Sequence, residues 1–138
     1  MKVRCKSTPL PEDLQAWLNA RYMTEDYLAE SSLQPGAEYG VYGISIDEGQ
    51  TSIVVDLGDL CWSYEPLALF DITDPSVSRH WQIRRDDDGA VEFFPAVFFE
   101  VPYLLEDASN DVPAAIALFR SMEAMMRAEF QHAKPGRT

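Results

Sequence analysis

His80, in Ser78-Arg79-His80-Trp81 shortly after Asp71 and Asp74, is the residue of this chain best suited to moving a proton. A histidine held by a carboxylate can act as a general base, so His80 with Asp71 or Asp74 would suit a small hydrolase or a ligand-binding domain. The chain contains no Gly-x-Ser-x-Gly and no local Cys/His signature to supply a nucleophile. A strand histidine hydrogen-bonded to a neighbour accounts for His80 without catalysis. The contiguous Asp86, Asp87 and Asp88 are the second candidate. Acid–base chemistry needs carboxylates that are partly desolvated and differ in pKa. A run of acids before Gly89 reads as a solvated hairpin tip instead, and it lacks the alternating Asp-x-Asp-x-Asp-Gly of a calcium loop.

Other chemistries lack their residues. Two cysteines and two histidines spread along the chain form no metal-ligand cluster, and the glycines form no phosphate-cradling motif. No metal and no cofactor is therefore expected, and the chain reads as a non-enzyme. Cys5 and Cys61 read as buried reduced thiols; both fall on expected strands, which leaves a bridge between them open. The 23 Asp and Glu against 11 Lys and Arg give a formal net charge of −12. Such a surface repels nucleic-acid phosphates and anionic membranes and attracts basic proteins. The expected partner is a basic protein, with no nucleic acid and no membrane. No apolar run reaches the length of a span, and Met1-Lys2-Val3-Arg4-Cys5-Lys6 is followed by no apolar stretch of a signal peptide. A cytoplasmic protein is expected.

The elements that would position these residues follow from periodicity. A first strand is expected over about residues 1–7. A short helix follows Pro11, with Glu12 and Asp13 in its first turn and Leu14, Trp17 and Leu18 on one face. Residues 24–36 read as a loop. From Glu38 the period becomes two, with Tyr42, Ile44 and Ile46 on one face. Asp47 to Gln50 forms a turn, and residues 51–57 form the returning strand. Further strands are expected around Leu67–Ile72, Trp81–Arg84 and Val91–Phe94, the last two joined through Asp86–Gly89. A final helix, capped by Asn110 or Asp111 with Pro113 in its first turn, carries Ile116, Phe119, Met122, Met126 and Phe130 at helical spacing. Glu123 can pair with Arg127. The sum is an α+β fold: an antiparallel meandering β-sheet packed by a short N-terminal helix and a long C-terminal helix. A single domain over residues 1–132 and a loose tail over 133–138 are expected.

Aromatic residues crowd the middle of the chain, and some alternate with acids, as in Trp62, Tyr64 and Glu65. That mixture suits a patch for a cationic partner. The contact candidates, all expected at loops, are Asp47, Glu48, Asp59, Trp62, Tyr64, Glu65, Asp86, Asp87 and Asp88. The segments Lys2-Val3-Arg4-Cys5, Glu38-Tyr39-Gly40-Val41-Tyr42-Gly43-Ile44, Pro66-Leu67-Ala68-Leu69-Phe70-Asp71-Ile72 and Val77-Ser78-Arg79-His80-Trp81 together resemble a group of small uncharacterised bacterial proteins. Some of these resemble immunity proteins of polymorphic toxin and contact-dependent inhibition systems. The resemblance implies a cytoplasmic inhibitor that covers the basic substrate site of a toxin, often a nuclease, with acidic side chains. It carries no catalytic signature.

Overall fold

Apolar–polar alternation builds the strands, and its phase decides which core each strand serves. The computed structural model describes residues 1–58 and 61–132. Along them run β1 (Lys2–Cys5), α1 (Glu12–Tyr22), α2 (Tyr27–Glu30), β2 (Glu38–Gly40), β3 (Gly43–Asp47), β4 (Gln50–Asp56) and β5 (Trp62–Pro66). Then come β6 (Phe70–Asp74), β7 (Trp81–Arg85), β8 (Val91–Pro95), α3 (Ala96–Glu100), α4 (Leu104–Ser109) and α5 (Pro113–His132). The architecture is α+β, with a short N-terminal helix and a long C-terminal one.

The strands form two antiparallel sheets where one meander was expected, ordered β2-β1-β6 and β5-β4-β3-β8-β7. The division falls inside Glu38–Ile46, which reads as one strand in the sequence. The Val41 N–H donates to the Met1 carbonyl (3.0 Å), and the Tyr42 N–H donates to the Val54 carbonyl (2.9 Å). The chain thus leaves one sheet and joins the other within two residues. Val41 enters the first core and Tyr42 the second, so Tyr42 does not share a face with Ile44 and Ile46. The strand expected from Leu67 begins later, at Phe70, because Leu67–Leu69 makes a single 3₁₀ turn. The loop expected over residues 24–36 contains α2, whose first turn is capped by the Asp26 carboxylate accepting from the Ala29 N–H (3.2 Å).

Ile83 stays exposed at the β7 edge of the five-stranded sheet, while other elements pack on both of its faces. On one, Ile53 and Val55 of β4 pack with Val3, Cys5, Leu18, Leu28 and Leu69, joining the sheet to β1, α1 and α2. On the other, Val54, Trp62 and Phe94 meet Phe119, Met122, Met126 and Phe130 of α5. The helical stripe read from the sequence is therefore the core face of α5, with Ile116 half-buried at its start. The α5 helix begins at Pro113, where the missing N–H costs nothing. Val112, not Asn110 or Asp111, precedes it, and the Val112 carbonyl accepts from the Ile116 N–H (3.0 Å). Cys5 is buried, whereas Cys61 is exposed beside the turn after β4; both are free thiols.

Candidate functional site

Strand register gathers the acidic turns. Residues Ile46 of β3 and Val91 of β8 face each other, so the turn leaving β3 and the turn entering β8 lie side by side at one end of the sheet. Glu48 (φ 49°) and Gly49 (φ 77°) both take the left-handed conformation of a tight hairpin closed by the Asp47–Gln50 pair. In the neighbouring turn the Asp86 carboxylate accepts from the Asp88 N–H (3.0 Å) and the Ala90 N–H (2.9 Å). Asp86 is thus spent on holding its turn, while Asp47, Glu48, Asp87 and Asp88 are exposed. Asp59 lies outside the described residues.

The other three contact candidates are not loop residues; all lie in β5. Trp62 is only 7% exposed. Its indole N–H donates to Glu123 Oε2 (3.3 Å), Arg127 bridges Glu123 (3.3 Å) and Asp56 (2.8 Å), and its ring lies 4.4 Å from that of Phe119. The Glu123–Arg127 pair read from helical spacing is therefore part of the seam fixing α5 to the sheet, and Trp62 belongs to that seam, not to the surface. Glu65 is 4% exposed on the opposite face, where its carboxylate accepts from the Tyr27 hydroxyl (2.7 Å) and the Ser63 hydroxyl (2.9 Å). Burial, then the bond to Glu65, raises the Tyr27 pKa. Glu65 is a buried acceptor tying α2 to β5. Glu65→Ala strands both hydroxyls and should lower stability by about 1–3 kcal/mol. Tyr27→Phe removes one donor and should cost less, a ranking that urea unfolding checks.

Tyr64, by contrast, is 49% exposed and opens onto a cleft. Trp62, Tyr64, Val54, Phe94, Glu92 and Arg84 project from one sheet face because the register sets Val54 opposite Tyr64, Gln82 opposite Phe94 and Arg84 opposite Glu92. The short helices α3 and α4 roof this face and leave a cavity of about 160 Å³. Its aromatic wall is continuous: Phe94 lies 6.2 Å from Tyr64, 5.4 Å from Phe98 and 6.2 Å from Phe99, centroid to centroid. Tyr103 stands at the mouth, 74% exposed and in the left-handed conformation (φ 59°).

The cleft is acidic as well as aromatic. Glu92 and Glu106 line it, and Arg84 brings its guanidinium 4.0 Å from Glu92 and 4.5 Å from the centre of the Phe99 ring. Burial, then the nearby Asp86 carboxylate, holds Glu92 above the usual carboxylate range, against the pull of Arg84. The Tyr64 hydroxyl is pushed up to about 12 by burial, then by Glu92 and Glu106. Arg84 and Glu92 face each other one pair in from Arg85 and Val91, where β7 and β8 meet the Asp86 turn, so the cleft adjoins the acidic sheet end. Glu92, Glu106, Phe99 and Tyr103 escape sequence reasoning. Only the aromatic–acid mixture of the region signals them, and it does not single them out.

His80 is placed away from both expected partners. Its Nε2 lies 3.9 Å from Glu129 of α5, and the same carboxylate accepts from the Arg79 N–H (3.0 Å). The Asp74 carboxylate instead accepts from the Ser76 N–H (2.9 Å), and Asp71 is exposed on β6. The Ser78 hydroxyl lies 3.6 Å from the Met126 sulfur and accepts from the His80 backbone N–H (3.1 Å), so it is not aimed at the imidazole. Neither Asp71 nor Asp74 completes a catalytic pair with His80. Among the described residues, no group of three or more His, Cys, Asp or Glu side chains converges as a metal site, and no helix is long and apolar enough to cross a membrane. Comparison with known proteins finds no matching family model, no matching curated sequence and no matching solved structure.

Proposed function

We propose that this chain is an acidic protein-binding module of the immunity type, which inhibits a basic toxin domain by covering its substrate site. What carries the reading is the contiguity of two features: a sheet end bearing Asp47, Glu48, Asp87 and Asp88, and beside it an aromatic cleft edged by Glu92 and Glu106. Exposed carboxylates raise the encounter rate with a cationic surface, and half-exposed aromatic rings supply contact area at low entropic cost. The formal net charge of −12 favours a basic partner, and the mechanism on this reading is occlusion without turnover. A toxin nuclease, whose own site must be cationic to hold phosphates, is the partner class that such a surface fits.

The experiment is affinity capture on the immobilised protein at low ionic strength, followed by elution in rising salt. The expected result is one basic protein released at moderate salt, whose enzymatic activity is blocked stoichiometrically when the two are mixed. A captured partner that is neutral or acidic, or whose retention ignores salt, would overturn the electrostatic mechanism. A basic partner that keeps full activity in the complex would overturn inhibition.

A further inference from the structure

Resting on the binding reading above, we infer that the aromatic cleft between the five-stranded sheet and α3–α4 is a socket for one arginine side chain of the partner. Size, walls and charge each point to this occupant. A volume of about 160 Å³ gives room for about five water-sized groups. That is the span of a guanidinium with its adjoining methylene, and too little for a helix or a strand. The walls are ring faces and edges from Tyr64, Phe94, Phe98 and Phe99, with Tyr103 at the mouth. Flat aromatic walls favour a flat cation, which stacks on a ring while its edge meets a carboxylate.

The molecule already displays this chemistry once. Arg84 lies over Phe99 at 4.5 Å and reaches toward Glu92, so a guanidinium held by one ring and one carboxylate is stable in this cleft. That arrangement leaves capacity unused. Two carboxylates, Glu92 and Glu106, face a single guanidinium. Among the described residues, no cation lies over Tyr64 or Tyr103, the two most exposed rings of the site. A raised pKa at Glu92 means that its ionised form opposes folding at neutral pH, because the folded state holds the proton more tightly than the unfolded chain. A second cation would relieve that cost, as an ordinary apolar ligand would not. Lysine would bring charge without a planar face, which makes arginine the better match.

The test uses the whole protein and small probes, so it needs no partner. Nα-acetyl-arginine-N-methylamide is titrated at low salt while the aromatic side-chain resonances are followed by NMR. Nα-acetyl-citrulline-N-methylamide, a neutral near-isostere, is titrated in parallel. Saturable shifts at Tyr64, Phe99 and Tyr103 are expected with arginine, and at least about fivefold weaker binding with citrulline. Tyr64→Leu and Glu92→Gln should each weaken arginine binding about three- to tenfold. Glu92→Gln should do so without lowering the melting temperature, which separates a binding role from a structural one. Arg84→Gln should strengthen binding by freeing Phe99 and Glu92. Equal binding of citrulline, shifts confined to other parts of the protein, or a Glu92→Gln variant that binds arginine unchanged would each overturn the socket. If the socket fails while a basic partner is still captured and inhibited, the module reading stands without it; if no inhibited partner exists yet arginine binds, the reading falls and the socket remains.

Discussion

Gly43→Ala should destabilise the protein by about 3 kcal/mol, near the top of the range for overpacking a filled core. The cause is a ring and not a backbone angle. A Cβ at Gly43 would lie 2.8 Å from Phe94 Cζ and closer still to Cδ1 and Cε1. Phe94 is buried and flanked by Tyr64, Phe98 and Phe99, so its ring can yield only toward the cleft it lines. Either β3 lifts from β8 or Phe94 is driven into the cleft, and both disturb the sheet on which the site is built. Gly49→Ala is the informative comparison. Its φ of 77° strains any other residue, but an added Cβ there meets nothing within 4 Å. The expected cost is about 1 kcal/mol, from conformation alone. Urea unfolding of both variants decides the matter: similar losses would mean that Phe94 yields and that the sheet–cleft packing is soft.

The same glycine shows where sequence reading stops. Helix α5 was legible because its stripe from Ile116 to Phe130 repeats over several turns, and long periodic signals survive tertiary context. The two acidic turns were legible because Glu48-Gly49 and Asp86–Gly89 specify their own backbone. The division at Val41-Tyr42 was not. Gly40-Val41-Tyr42-Gly43 continues an alternating strand pattern, and what ends it is the placement of the Phe130 and Phe94 rings over the two glycines, residues far away in sequence. The run from Phe93 to Leu105 was opaque for another reason. Past strand β8, which the alternation does reveal, it is apolar except for Glu100 and broken by Pro95 and Pro102, so it offers no helical phase from which to read α3.

Period two also cannot say which acids and aromatics of β5 reach solvent. Trp62 and Tyr64 share a face, yet one is sealed by α5 and the other opens beside α4. Glu65, an acid by composition, is a buried acceptor for two hydroxyls. The contact candidates on turns needed no knowledge of packing; those on β5 depended on it entirely. The carboxylate that meets His80 was equally hidden, because Glu129 comes from the far end of α5 and no spacing rule links the two.

Reversing the four exposed turn carboxylates, Asp47→Lys, Glu48→Lys, Asp87→Lys and Asp88→Lys, should slow association with the proposed basic partner about 100-fold at low ionic strength. Asp86 is kept, because its carboxylate holds the turn through the Asp88 and Ala90 N–H groups. The four reversed side chains are exposed, so folding should be nearly unchanged and the loss should lie in encounter. Two features separate this from a general effect of charge. Dissociation should change much less than association, since rim charges act on approach while the buried contacts set residence time. The difference between variant and parent should also shrink as salt rises past 0.1 M, where the screening length falls to about 10 Å. A matched control reverses Glu12, Glu25, Glu30 and Asp71, exposed acids around α1, α2 and β6, and alters net charge by the same amount. If the control slows association as much as the turn variant, attraction is diffuse and the sheet end is not the docking edge. If the turn variant alone loses its rate, the acids at that end steer the partner onto the adjoining aromatic cleft, and their position beside it is what makes the charge specific.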